Sequence, residues 1–306
     1  MAENTQSIVH KSVLVAEVLE NLAIKPHGVY LDATFGAGGH TRAILQADPT
    51  CHVIALDWDT RSLETFGKDL QEEFPGRLTL LWGNFAQLYK MLKKERKGNV
   101  DGILADFGTS QMQIVDRDGF SIYRNTPLDM RMSPAHQKTT AADIINGASE
   151  EELREIFWRY GEEKYTKQIV SAIMHDRIIK RITTTGELAA LVERVTPKDR
   201  DKRHKIHPAT RVFQALRICV NKELENITSF LSASMQLLSP GGRLVCISFH
   251  SLEDRLVKQF FVDRSHEGVV NIVTHKVVTA GEDELARNPS SRSAKLRAVE
   301  FLTKKA

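Results

Sequence analysis

Apolar residues recur along the chain in two alternating rhythms. Val15, Val18, Leu19 and Leu22 stand at helical spacing and predict a helix that stops at the turn Lys25-Pro26-His27-Gly28. Short continuous runs follow at Val29–Asp32, His52–Asp57, Leu78–Trp82 and Val100–Asp106, each reading as a buried strand. Between them lie helical stripes, first Leu63, Phe66, Leu70 and Phe74, then Leu88, Met91 and Leu92. Strand and helix in regular alternation predict an α/β fold with a mostly parallel, doubly wound sheet.

The alternation then stops. Residues 112–207 carry no convincing strand and three helical stripes. Capping boxes start two of them, Ser149 with Glu152 and Thr184 with Glu187. This segment is expected to be an inserted all-helical domain of 112–207, with the sheet domain made from 1–111 and 208–306. Phe213, Leu216, Val220, Leu224, Ile227, Leu231, Met235 and Leu238 mark one long helix returning to the sheet, stopped by Pro240-Gly241-Gly242. Arg243–Phe249 is a fifth strand, a further helix carries Leu256, Val257, Phe260 and Phe261, and residues 269–278 and 298–302 are closing strands, seven in all.

Charge adds a partner. The net charge is only +3, but it is unevenly spread. Arg194, Lys198, Arg200, Lys202, Arg203, Lys205 and Arg211 face only Asp199 and Asp201 within one stretch. Arg287, Arg292, Lys295, Arg297, Lys304 and Lys305 face only Glu300 in another. Such runs are often plain solvated surface; two in one chain make nucleic acid a serious candidate. The 3 cysteines, Cys51, Cys219 and Cys246, have no metal-ligand spacing and no even pairing. With no apolar run of membrane-spanning length and no signal core, a cytoplasmic protein without membrane contact is expected.

The chemistry gathers where strands end. Val29–Asp32 runs into Ala33-Thr34-Phe35-Gly36-Ala37-Gly38-Gly39-His40-Thr41, a strand, a glycine turn and a helix start. Glycines let backbone approach a ligand, and the helix N-terminus offers free N–H groups, although a tight turn with no ligand would read the same way. Asp57 ends the second strand 18 residues beyond Gly39, the right place for a carboxylate that accepts ribose hydroxyls, or for a plain helix cap. Phe85 and Asp106 follow the third and fourth strands. A dinucleotide site would want Gly-x-Gly-x-x-Gly, but Thr41 occupies the third glycine's place. An acid before the turn and a Pro-Gly-Gly entry to strand five favour S-adenosylmethionine and a class I (Rossmann-like) methyltransferase sheet over a nicotinamide dehydrogenase.

A set of motifs in order then resembles the MraW/RsmH family, bacterial methyltransferases of a cytidine exocyclic amine in 16S ribosomal RNA. They are His10-x-x-Val13-Leu14, Asp32–His40, Gly119-Phe120-Ser121, Pro127–Met132, Gly161-Glu162-Glu163, His207–Arg217, Ser248–Arg255 and Ser291–Arg297. The resemblance implies cofactor contacts at Gly38, Gly39, His40, Asp57, Phe85, Asp106 and Gln113. It makes the small ribosomal subunit the partner and leaves the oligomeric state open. Departures are local: Thr109-Ser110-Gln111-Met112 replaces Val-Ser-Ser-Pro, and Ser12, Thr126 and Ser290 stand where the family usually has proline, glycine and arginine.

A cytosine amine is a poor nucleophile, because its lone pair is delocalised into the ring. The site therefore needs a group that accepts the amine's protons, and Asp106 is the candidate. The helical insertion with Arg200, Lys202, Arg203, Lys205 and Arg211 is the expected RNA platform, with Arg292, Lys295 and Arg297 as a second contact. No cysteine stands in a nucleophile loop, which speaks against methylation at ring carbon 5. A non-catalytic RNA-binding or ribosome assembly factor that keeps the pocket is the competing reading, and turnover separates the two.

Overall fold

The computed structural model describes residues 11–95, 98–108, 118–197 and 207–302. The chain divides into two compact units, Met1–Gly108 with Leu224–Ala306, and Thr109–Glu223.

The first unit is built on a 7-stranded sheet ordered β3-β2-β1-β4-β5-β7-β6. Its strands are β1 (Val29–Asp32), β2 (His52–Asp57), β3 (Leu78–Trp82), β4 (Val100–Asp106), β5 (Leu238–Ser248), β6 (Val270–Ile272) and β7 (Lys295–Phe301). β1 to β5 pair in parallel, while β7 runs antiparallel to both β5 and β6. This is the class I methyltransferase sheet expected from the sequence. Strand alternation divides the core between its faces. Leu31, Ile54, Leu56, Ile103, Leu244 and Cys246 point to one face. Tyr30, Val53, Ala55, Leu104, Val245 and Ile247 point to the other.

Helices cover each face with the apolar stripes read in the sequence. α1 (Val15–Leu22), α2 (Gly39–Ala47) and α4 (Lys68–Glu73) contribute Val18, Leu22, Ile44, Leu45 and Leu70 to one side. α4 is preceded by the short α3 (Thr60–Ser62) and a π turn at Leu63–Gly67. α5 (Leu88–Lys94) places Leu88 and Leu92 on the opposite side.

The second unit holds α6 (Ala141–Gly147), α7 (Glu150–Gly161), α8 (Thr166–Ile179), α9 (Thr185–Val195) and α10 (Thr210–Asn221). Its own core joins Leu153, Phe157, Ile169, Ile173, Leu188, Val192, Val212 and Leu216. The capping boxes at Ser149–Glu152 and Thr184–Glu187 are both formed, and a third, Thr140–Asp143, starts α6. α7 and α10 cross at Gly161, where a β-carbon would meet the Arg211 carbonyl oxygen at 2.6 Å. That crossing holds α10 in the helical unit, so the unit extends through Glu223 rather than ending at 207.

Two elements differ from expectation. The single helix foreseen after Pro208 is two, because Lys222 turns left-handed at φ 51° between α10 and α11 (Glu223–Leu237). α11 then supplies Ile227, Phe230 and Leu231 to the sheet's core, and α12 (Ser251–His266) supplies Val257 and Phe261. The closing strand foreseen over 269–278 shrinks to β6 and one isolated bridge, Val278 to Leu296. The chain closes with α13 (Glu282–Arg287), a single 3-10 turn and β7. Among the described residues, no helix is long and apolar enough to cross a membrane.

Candidate active site at the strand C-termini

β1, β2 and β4 are neighbours, so Asp32, Asp57 and Asp106 end side by side at one rim of the sheet. Asp32 is fully enclosed and works on its own turn. Its Oδ1 accepts the Thr34 N–H at 3.1 Å, and its Oδ2 accepts the Thr41 hydroxyl at 2.7 Å. Burial raises this carboxyl above the ordinary aspartate range; the nearby His40 opposes the rise and Asp106 adds to it.

The glycine turn follows. Gly36 and Gly38 are left-handed at φ 54° and 77°, which L side chains rarely adopt. Gly38 caps α2 without a side-chain bond, leaving the first N–H groups of that helix without intrahelical partners. A β-carbon on Gly39 would meet the Ser12 hydroxyl at 2.2 Å, so Ser12 lies directly against the start of α2. No role for Ser12 was legible in the sequence beyond its standing where the family has proline. Beside Gly36 the space is open, with only the Thr34 carbonyl oxygen at 4.0 Å.

Asp57 closes the turn from the next strand. Its Oδ2 accepts the Gly36 N–H at 2.7 Å and its Oδ1 accepts the Asp59 N–H at 2.9 Å. Burial lifts this carboxyl from 3.8 to about 6, partly countered by those two bonds. Each oxygen keeps a second lone pair for a donor from a ligand.

Asp106 ends β4 with its N–H donating to the Thr34 hydroxyl at 2.7 Å. Its Oδ1 accepts the Gly108 N–H at 3.0 Å, and its Oδ2 stands 3.5 Å from His40 Nε2. That gap is too long for a formed hydrogen bond, and both ring nitrogens of His40 are buried without a partner among the described residues. A buried polar atom left in that state costs about 1–3 kcal/mol, so an unpartnered imidazole here points to chemistry rather than packing. Ser248 Oγ, at the end of β5, is likewise buried without a partner. Phe85, capped by Asn84, is half-buried with its ring 6.0 Å from Phe107 and 5.6 Å from Phe230.

Comparison with known sequences decides the family. The sequence profile of the MraW methylase family matches residues 7–302. The chain belongs to the MraW methylase family. Curated relatives in that group agree in length as well as sequence. A "Ribosomal RNA small subunit methyltransferase H" of Thermomicrobium roseum is 45% identical over 97% of this chain and 95% of its own. Proteins of the same name from Bradyrhizobium diazoefficiens and Ehrlichia canis are 45% and 43% identical, each over 95% of this chain and over 91% and 99% of their own.

Within this MraW-family chain the expected site residues fall into three groups. Gly38, Gly39, His40, Asp57 and Asp106 gather at the rim, and Phe85 stands beside it in an aromatic cluster. Gln113, Arg200, Lys202, Arg203 and Lys205 lie outside the described residues. Arg211 is exposed, with one guanidinium nitrogen donating to the Glu162 carbonyl at 2.8 Å, and Arg292 is exposed. Arg297 departs from expectation. Its guanidinium pairs with both Asp254 oxygens at 2.7 and 3.2 Å, and only 13% of its side chain is exposed. It braces β7 against α12 and has little surface left for a phosphate, while Lys295 lies 3.8 Å from the same carboxylate at 37% exposure.

Sequence reasoning also missed Tyr123. Its ring is 84% exposed, and the His207 ring stands edge-on at 5.6 Å. A lone aromatic in a polar loop gives no periodic signal. The Thr126 departure is absorbed locally, since its hydroxyl accepts the Gly119 N–H at 3.0 Å.

Proposed function

We propose that this protein methylates the exocyclic N4 amine of one cytidine in the decoding region of 16S ribosomal RNA, acting in the cytoplasm on the small ribosomal subunit. The methyl donor is S-adenosylmethionine. The observation that carries the reading is the gathering of the Gly36–His40 turn, Asp57 and Asp106 at three adjacent parallel strand ends. The names of relatives that match nearly the whole chain support the substrate.

The rim fits the donor by its chemistry. Open backbone at Gly36 and the uncapped N–H groups of α2 suit a carboxylate, and the Asp106 carboxylate suits a cation. The free lone pairs of Asp57 would take the ribose hydroxyls, the backbone of Gly38, Gly39 and His40 would hold the amino-acid end, and Phe85 would flank the adenine. Gln113 joins this set on the family pattern alone. When bound, the donor supplies an electrophilic methyl on a sulfonium.

The chain's own residues do the rest. Asp106 accepts a hydrogen bond from the cytosine amine, which draws the lone pair out of conjugation and holds the nitrogen in line. The target base must leave any stack to reach this rim. Arg200, Lys202, Arg203, Lys205 and Arg211 hold the RNA backbone, with Arg292 and Lys295 as lesser contacts. Tyr123 offers a stacking face for an unpaired base. Attack at ring carbon 5 would require a thiolate; Cys51 and Cys246 are buried, and burial pushes both thiols up.

The test is product identity. Purified protein, isotope-labelled donor and small subunits from cells lacking the corresponding methyltransferase are expected to yield N4-methylcytidine by nucleoside mass spectrometry. A 5-methylcytidine product, or RNA binding without turnover, would overturn the reading.

A further inference from the structure

His40 occupies an unusual place for a residue whose expected contribution is backbone. It is the second residue of α2, only 5% exposed, and neither ring nitrogen has a hydrogen-bond partner among the described residues. The charged groups that face the ring among the described residues are acids from two different strands. Asp32 acts on it from β1, and Asp106 stands 3.5 Å from Nε2 at the end of β4. Asp32 is already committed to Thr34 and Thr41, and the Asp106 Oδ1 to Gly108. The Asp106 Oδ2 is therefore the oxygen left facing the imidazole.

Resting on the amine-methylation reading above, we propose that His40 is the positioning residue for Asp106 and receives through it the proton that the cytosine amine loses. The balance is simple. The amine nitrogen forms its bond to the donor methyl as the sulfur–methyl bond breaks, and that bond's electron pair stays on sulfur as a neutral thioether. The nitrogen's surplus proton passes to Asp106 Oδ2 and on to His40 Nε2, leaving Asp106 a carboxylate and His40 an imidazolium. Water reclaims the proton when product leaves. A separation of 3.5 Å is compatible with this, because catalytic hydrogen bonds often tighten only in the substrate complex. A histidine serves because an imidazole nitrogen with a free lone pair can take a proton from a carboxyl group.

The variants His40→Gln and His40→Asn test the role. Both are expected to lower kcat about a hundredfold, in the range of a lost acid–base group, with KM for the RNA and calorimetric affinity for S-adenosylhomocysteine unchanged. The wild-type kcat–pH profile is expected to carry a rising limb that both variants lack. In ligand-free enzyme labelled with ¹⁵N-histidine, Asp106→Asn is expected to move the Nε2 resonance of His40 and leave Nδ1 in place.

Full kcat in either folded variant overturns the proposal. So does a loss of kcat matched by an equal loss of S-adenosylhomocysteine affinity, which makes His40 a holder of the ligand only. An unmoved Nε2 resonance in Asp106→Asn also overturns it, and this measurement decides the matter if neither His40 variant folds. Failure of the functional reading is separate, since it shows in the wild-type product and leaves the Nε2–Asp106 result standing.

Discussion

Asp57 Oδ2 accepts the Gly36 N–H at 2.7 Å, so the acid that ends β2 holds the glycine turn that ends β1. One carboxylate thus shapes the turn and keeps lone pairs free for a ligand. A side chain 21 residues away supplies the anchor.

This pair sets a pH dependence. Burial raises the Asp57 carboxyl from 3.8 to about 6. A carboxyl whose folded value exceeds its unfolded one takes up a proton on folding between the two, so this group opposes folding increasingly as pH rises from 3.8 to about 6 and by a constant amount above. A ligand that donates hydroxyls to Asp57 needs the ionised form. Calorimetric affinity for S-adenosylhomocysteine is expected to be flat above pH 6 and to weaken below it, approaching tenfold per unit. Asp57→Asn is expected to bind weakly with no such step, and a step that survives in the variant refutes the assignment.

Gly161 makes a second test, of architecture alone. Its missing β-carbon lets α7 approach α10, and a methyl there would press on the Arg211 carbonyl oxygen at 2.6 Å and on Ala215 at 3.2 Å. Backbone cannot yield as a flexible side chain does. Gly161→Ala is expected to lose about 1–3 kcal/mol in urea unfolding even though alanine favours helix. An unchanged or raised midpoint would mean that the crossing is looser than drawn.

Arg297 and Asp254 separate brace from RNA contact. They are 13% and 15% exposed and bonded twice. Without Arg297 the Asp254 carboxylate keeps only Lys295, at 3.8 Å, and Arg297→Ala is expected to destabilise the fold by about 1–3 kcal/mol. Replacing both with apolar residues of similar size is expected to restore most of that. The salt dependence of RNA binding by the stable double variant should match wild type. A shallower slope would return Arg297 to the RNA surface.

The parallel strands were legible because their apolar runs are short and continuous, and the acids that end β1, β2 and β4 mark the rim. Other features left no such trace. The break at Lys222 falls where apolar periodicity runs unbroken from Leu216 through Val220 to Leu224, and a lysine rather than a glycine adopts the left-handed turn. β6 is short and lies at the sheet's edge, where one row of bonds suffices. Arg297 reads as surface charge until Asp254, 43 residues away, is placed beside it. The approach of Ser12 to Gly39 and the bare imidazole of His40 are likewise facts of packing, and no linear pattern encodes them.

RNA binding supplies the last test, and it splits charge from stacking. Arg203→Glu with Lys205→Glu is expected to weaken anisotropy-measured affinity for a small-subunit RNA fragment and to reduce the slope of log Kd against log salt by about 2. Tyr123→Ala removes a ring that is 84% exposed and carries no charge. It is expected to cost about 1–3 kcal/mol of RNA affinity with the salt slope intact. S-adenosylhomocysteine affinity is expected to hold in both. A slope change in Tyr123→Ala would mean that the ring orders nearby cations rather than stacking on a base. An equal loss of RNA and S-adenosylhomocysteine binding would instead mark a folding defect, which a thermal melt of the same sample would show.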